Sequence, residues 1–463
     1  MSKKSNLNAV SALVLSLFAM QANAGPLEAE LRNVLETHPA IKAARLASQA
    51  SQDRVAAAKG AYYPKVILSG DAGREYISTT SYSQGVPSAT PSASDLNRKK
   101  VGLVVEQSLF NGGRREASVD LAGLENTLQN KNYETQVQDV LMEAIAAYLQ
   151  VARYQTLIGL AKLNEATTQQ QLDLESKRVQ GGAGIAVDVL QARSRLQIVR
   201  ERRVFYEQGL RDAAANYEQV FGRAPVLAAI QDFGALDAKL PGNIVAAIER
   251  GVANNPRLKA AALQIERAKK SIDMEKSALA PTVDLVATRA SERDVSQLAK
   301  KEEASLLLKF NWVLFSGNDT TNRMAAAVKD RDEQLARESI ASNKIKEMIR
   351  INWNQLMNGS ERLELLDSAA TIAKDVMEDR KRLRDAGKES AIIVLDAEVE
   401  YYGVLANKVN ALYDTKIGSY RLLSSLGELT TETLGLDGQF AIPVKPLAVD
   451  LAQIAAPARK KIK

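Results

Sequence analysis

Apolar residues recur every three to four positions from about residue 116 to 180, with no proline to interrupt them, and the pattern returns from about 320 to 385. As a helix the first stretch would extend roughly 95 Å at 1.5 Å per residue. Compact domains rarely use a helix of that length. Glycines at 181, 182 and 184 break the first run and Gly387 breaks the second; a shorter helical pattern follows each break, at about 187–221 and 390–425. Each long helix is therefore expected to fold back on a shorter one as a hairpin with coiled-coil-like packing. Upstream lie two more helical stretches, about 27–60 and 243–278, which run towards Pro64 and Pro281, where a helix must stop.

Between those helices and the hairpins the period changes from 3.6 to two. Val101, Leu103, Val105 and Leu109 alternate with the more polar set Gly102, Glu106 and Ser108; Leu306, Leu308, Phe310, Trp312 and Leu314 alternate with a set containing Ser305, Lys309 and Asn311. Strands are expected near 65–77, 100–110, 282–292 and 304–315. The segment around Ser78–Asp95 is rich in Ser, Thr and Pro and reads as an exposed loop.

The two halves resemble each other. His38-Pro39 answers Asn255-Pro256 and Pro64 answers Pro281, at an offset of 217. Leu109-Phe110-Asn111-Gly112 answers Leu314-Phe315-Ser316-Gly317 at an offset of 205, which then holds for Tyr148 with Trp353, Gly182 with Gly387, and Gly222 with Gly427. At this offset Val101, Leu103 and Val105 fall on Leu306, Leu308 and Phe310, so strand parity is preserved between repeats. Domain boundaries follow: a first repeat over 25–235, a second over 236–435, and a tail over 436–463.

Composition narrows the chemistry. The 463 residues include no cysteine and one histidine, His38. Thiol nucleophiles, disulfides, zinc fingers and iron–sulfur sites are excluded, and no acid–base constellation marks an enzyme. No cofactor or metal is implied. His38 precedes a proline and is matched by Asn255, so it reads as a hydrogen-bonding residue of a helix start. The net charge of +6 is accounted for by Lys3 and Lys4 at one end and Arg459, Lys460, Lys461 and Lys463 at the other. The neutral body between them offers no face for nucleic acid.

Residues 1–24 read as a secretion signal: Lys3 and Lys4, an apolar stretch from about Ala9 to Met20, then Ala22-Asn23-Ala24. That stretch is too short for a membrane-spanning helix, which needs about 20 residues. The alternating segments meet the apolar-out, polar-in requirement of a membrane barrel, with Val101, Leu103, Val105, Leu306, Leu308, Phe310 and Trp312 as candidate lipid-facing residues. A half-buried strand of a soluble periplasmic coiled-coil scaffold alternates in the same way. Four strands cannot close a barrel, because about eight is the smallest membrane barrel and open edges are not tolerated in lipid. Membrane strands would thus require an oligomer; two chains give eight and three give twelve.

The helix–strand–strand–long-hairpin repeat, the Leu-Phe-Asn/Ser-Gly turn and the Gly-x5-Asp-x-Leu-x-Ala turn resemble the TolC family of outer-membrane efflux proteins over nearly all of the chain after the signal. The resemblance implies a mainly α fold with a small transmembrane β part: a homotrimer whose twelve-stranded barrel in the outer membrane of a Gram-negative bacterium continues as a periplasmic α-helical barrel. It also implies a periplasmic adaptor and an inner-membrane transporter such as an ABC exporter as partners, alongside outer-membrane lipid. The function implied is a passive exit duct. With no cysteine to carry a lipid anchor, type I protein secretion is favoured over multidrug efflux. In the first hairpin turn Arg178, Gly182, Asp188, Leu190 and Ala192 match the family pattern; in the second Gly387, Leu395, Asp396 and Ala397 match. Asp188 is answered by Ile393 and Arg178 by Leu383. The likeness makes Asp396 and Asp188 candidates for the pore constriction and the other matched residues candidates for facing the adaptor. Arg382 and Arg384 are candidates for gate ion pairs. Asp188 can equally cap the following helix.

Overall fold

The computed structural model describes residues 26–79, 82–83, 86–87, 92–182, 184–230, 240–294 and 300–436. The secretion signal and all but the first residue of the tail lie outside the described residues. In chain order the elements are α1 (Pro26–Thr37), α2 (Pro39–Lys59), β1 (Lys65–Thr79), two-residue strands β2 (Tyr82–Ser83) and β3 (Val86–Pro87), β4 (Ser92–Phe110), α3 (Arg114–Gln180) and α4 (Ala186–Phe221). The second half supplies α5 (Ile244–Asn254), α6 (Pro256–Lys276), β5 (Thr282–Arg293), β6 (Lys300–Asn311), α7 (Asp319–Asp385) and α8 (Ala391–Leu426).

The repeat is reproduced to the residue in the hairpins. Helices α3 and α7 each have 67 residues and α4 and α8 each have 36. Proline occupies the first turn of both α2 and α6, where its missing N–H costs nothing. The residue before it caps the helix: the His38 Nδ1 accepts from the Ala40 N–H at 3.3 Å, and the Asn255 Oδ1 accepts from the Arg257 N–H at 2.9 Å. These bonds are the ones the histidine–asparagine equivalence calls for.

Each long helix is covered by shorter ones placed along it. The first half of α3 meets α2 through Ser48–Asn130 and Ser51–Asn126 hydrogen bonds, and α6 through Arg267–Glu125 and Lys270–Asp120 ion pairs. Its second half meets α4, where Arg200 and Arg203 both bind Glu165. Midway, Leu141, Ala144, Ile145, Tyr148 and Leu149 enter the main core with Leu31 and Leu35 of α1, Tyr420 and Leu423 of α8, and the stacked rings of Tyr217 and Phe221 on α4. Because the partner changes along its length, α3 carries no single apolar stripe from end to end.

The four long strands form one antiparallel sheet in the order β1-β4-β5-β6. Two of its strands differ in their bounds from the sequence expectation. Strand β4 begins at Ser92, not near 100, because a charged extension is held by cross-strand pairs: Arg98–Asp71 at 2.9 Å and Arg74–Asp95 at 2.5 Å. Strand β6 covers 300–311, not 304–315, so Trp312 and Leu314 lie beyond it. The Trp312 Nε1 donates to the Leu279 carbonyl at 3.0 Å, a bond to the chain below the sheet and not to a strand.

Candidate functional site

Among the described residues no α-helix packs over either broad face of the sheet, yet exposure alternates along parts of the two central strands. From Ala93 to Gly102 in β4 every odd residue is exposed and every even one is more covered; in β5 Leu285, Arg289, Ser291 and Arg293 are exposed and Val286 is buried. Crowding on one side only, with nothing placed on it, means that the sheet curves and that the even positions of β4 and β5, with the odd positions of β1 and β6 opposite them, line its concave side. The register brings Val66, Val105, Ala287 and Leu306 into one convex row, and Leu68, Leu103, Arg289 and Ala304 into the next. Of the candidate lipid-facing residues, Val101, Leu103, Leu306, Leu308 and Phe310 are exposed on this convex face, and Val105 is half-buried on it. Trp312 is exposed but leaves the sheet. The concave face carries charge: Asp71, Lys100, Glu292 and Lys301 form one row of alternating sign, with the Lys100 Nζ 2.7 Å from Glu292.

At the opposite end, the two hairpin tips meet. Leu172 of α3, Ala192 and Leu196 of α4 and Leu395 of α8 form a small buried cluster. Ala192 and Leu395 therefore sit in the seam between hairpins and Ala397 is buried as well, so these three side chains are not open to a partner in this chain. Leu190, by contrast, is 63% exposed, and the turn glycines Gly182 and Gly387 are exposed at φ 79° and 72°. Glycine tolerates that backbone where other residues do not. Arg178 binds Glu175 on its own helix at 3.1 Å.

Asp188 stands in the first turn of α4, half-buried, but Ile185 is the N-cap and no side chain completes the cap. The capping bond expected of Asp188 is not made; the favourable placement of its charge near the helix N-terminus is. Asp396, on α8, is over half exposed and bound by Arg195 of α4, Nη2 to Oδ1 at 2.7 Å. Arg382 pairs with Asp379 within its own helix and so ties nothing across. Arg384 does cross, donating to the Gln171 side-chain Oε1 of α3, and also binds Asp385 at 2.7 Å.

A buried polar cluster absent from the sequence reading completes the tip. Glu398 of α8 is 1% exposed; its Oε1 receives the Lys381 Nζ from α7 at 2.8 Å and the Gln171 Nε2 from α3 at 3.2 Å. Three helices from both hairpins thus converge on one carboxylate, whose Oε2 has no hydrogen-bond partner. Its spacing gave a signal: Ala391, Val394, Leu395, Glu398 and Tyr402 follow a three-four seam pattern, and all are buried. Among the described residues no group of three or more acidic or histidine side chains could hold a metal, and no helix is long and apolar enough to cross a membrane.

The chain matches the family described as outer membrane efflux protein over residues 31–223 and 247–428, one match for each repeat. It belongs to that family. It is 25% identical over 407 residues to the outer membrane efflux protein BepC of Brucella suis, covering 86% of this chain and 84% of BepC. It is 23% identical to the alkaline protease secretion protein AprF of Pseudomonas aeruginosa, covering 87% and 84% of the two chains. The CmeC outer membrane channel of Campylobacter jejuni superposes with a TM-score of 0.75 at 14% identity, over 87% of this chain and 86% of CmeC. The protein is an outer-membrane efflux channel and not an enzyme.

Proposed function

We propose that three copies of this chain close a twelve-stranded barrel in the outer membrane and conduct cargo delivered by a periplasmic adaptor and an inner-membrane ABC exporter, in type I protein secretion. In this reading residues 1–24 direct export and are removed, and the repeats over 25–235 and 236–435 supply two strands each. The observation that carries the assembly is the sheet itself: β1 and β6 have one unpaired edge each, and the convex rows nearer the helices, from Phe310 to Leu306, are mainly apolar while the concave face carries charge. An unpaired backbone group in lipid costs several kcal/mol, so the edges must close on other copies. Family likeness favours three copies over two.

Secretion of protein is supported by relatives named for protease secretion, AprF and PrtF. BepC, named as an efflux protein, supports small-molecule efflux as the second reading. Complementation separates them. In a host lacking its own channel, the chain is expected to restore export of a protein by an ABC exporter and its adaptor. Restored drug resistance without protein export would reverse the assignment, and a detergent-independent monomer would leave only the scaffold.

At the tips, Asp396 and Asp188 are assigned to the constriction, and Arg178, Gly182, Leu190 and Gly387 to the surface the adaptor meets. A carboxylate repeated by rotational symmetry favours cations at a narrow point. Asp396→Ala also strips Arg195 of its partner, so the mouth becomes more basic. Channels reconstituted in a planar bilayer are expected to conduct more, block less with divalent cations and shift towards anions. Unchanged conductance and block would remove Asp396 from the pore.

A further inference from the structure

One row of the sheet breaks the rule that opposite charges face each other across strands. Lys99 of β4 stands directly opposite Arg293 of β5, and Arg293 directly opposite Lys300 of β6. All three are exposed on the convex side. Opposed residues on adjacent strands sit about 5 Å apart at Cβ, and like charges there destabilise the pairing. A fourth cation, Arg289, lies on the same face four residues nearer the helices, opposite Leu103 and Ala304. The acid within this patch is Glu302, 2.5 Å from the Lys300 Nζ. Lys99 and Arg293 have no ion-pair partner among the described residues.

The concave row immediately behind is built the other way. There Asp71, Lys100, Glu292 and Lys301 alternate in sign, so every charge is compensated within the sheet. Closing the barrel does not supply the missing anions either. The convex residues of β1, the strand that would meet β6 of another copy, are Val66, Leu68, Gly70, Ala72, Arg74 and Tyr76, with no acid among them. Glu302 and, at the turn beside Arg293, Asp294 offset part of this charge, and an anion from outside the protein can compensate the rest.

Its depth identifies its source. From Phe310 to Lys300 is ten residues, about 34 Å along a strand at 3.4 Å per residue. With the usual strand tilt of 35–45° this is about 26 Å across the bilayer, matching an apolar band about 25 Å tall. The rows from Phe310 to Leu306 are mainly apolar, Arg289 and Glu302 enter in the next two, and the cationic row lies beyond them, at headgroup level on the side away from the helices.

We propose that the row Lys99–Arg293–Lys300, with Arg289 beneath it, binds the phosphate groups of anionic lipids in the outward-facing leaflet. The proposal rests on the reading that the convex face lies in lipid. Basic side chains at a membrane surface each strengthen attraction to anionic lipid about five-fold, so three give about a hundred-fold preference at low salt.

The test uses the full processed chain in neutral detergent micelles, titrated with fluorescent phosphatidylglycerol or phosphatidylcholine, and the same protein reconstituted into phosphatidylcholine vesicles. The native chain is expected to prefer phosphatidylglycerol by about a hundred-fold at low salt, and the triple variant K99Q/R293Q/K300Q to lose that preference while still inserting into vesicles. The concave double variant K100Q/K301Q should retain it, which separates a local site from overall charge. Equal binding of the two lipids by the native chain, preference retained in the triple variant, or displacement by millimolar inorganic phosphate overturns the headgroup site and leaves the membrane reading standing. Failure of the native chain to insert at all overturns both.

Discussion

Lys381→Met tests how the hairpins are held together at the tip. The substitution keeps the length of the side chain and removes the ammonium that lies 2.8 Å from Glu398. Glu398 is almost fully buried and one of its oxygens is already unpartnered, so water cannot replace the lost ion. Removing one partner of a buried pair costs about 3–5 kcal/mol. Lys381 is 29% exposed, which places the cost at the lower end, about 3 kcal/mol, since partial solvent access weakens the pair. The energy acts locally, because Glu398 joins α8 to α7 and, through Gln171, to α3. Native-state hydrogen exchange reads it directly: amides flanking Glu398 in α8 should exchange about a hundred-fold faster, since each 1.4 kcal/mol is a factor of about ten. Those in the mid-helix core around Tyr420 should not change. The double variant Lys381→Met/Glu398→Leu should recover most of the protection, because an apolar pair of similar volume replaces a buried ion pair at little cost. Unaltered exchange in the single variant, or a double variant worse than the single, would refute the reasoning.

Leu306→Lys, near the middle of the convex apolar rows, should cost about 2–4 kcal/mol and reduce heat-resistant oligomer in electrophoresis, whereas Ser305→Lys on the concave face should assemble normally. Gly112 and Gly317 occupy equivalent turns at φ 68° and 67°, but a Cβ on Gly112 would stand 2.5 Å from the Ser277 carbonyl oxygen and 2.6 Å from the Ala280 Cβ, while nothing lies within 4 Å of one on Gly317. Gly112→Ala should therefore abolish assembled protein, and Gly317→Ala should cost only about 1 kcal/mol of backbone strain. Burial pushes the Glu165 carboxyl up, but hydrogen bonds from Arg203 and Arg200 outweigh it and hold the group below its ordinary value of 4.5. A depressed folded-state value means the contribution is complete above the unfolded value and is lost as pH falls through the folded one. Exchange of α4 amides near Arg200 should accelerate below pH 4.5, and Glu165→Gln should remove that acid dependence.

Long elements were legible because periodicity and punctuation agreed. Proline-free runs closed by Gly181 and Gly387 set the ends of α3 and α7 within about two residues, and the fixed offset carried one repeat onto the other. Strand parity was legible for the same reason, through Val101, Leu103 and Val105. The charged start of β4 was not, because Arg98 and Arg74 belong to a strand only through Asp71 and Asp95 on its partner, and a single segment carries no trace of that pairing. Trp312 continued the alternation past the end of the sheet, so the pattern alone drew it in. At the tips, motif matching marked positions but could not tell surface from seam, which is why buried Ala192 and Leu395 were grouped with exposed Leu190. Arg195 and Lys381 had no motif at all; their importance arises from where α4 and α7 bring them.

Matched helix lengths in the two repeats act as a pair of rulers. Both hairpins start from one sheet, and both turns must arrive at one level if their tips are to share a seam. Deleting seven residues from α3 and the corresponding seven from its returning partner would raise one turn by about 10 Å at 1.5 Å per residue, taking Arg195 from Asp396 and Gln171 from Glu398. Insertions and deletions within the hairpins are thus tolerable only in duplicate, once in each half, and the span from sheet to tip is inherited as a single dimension written twice.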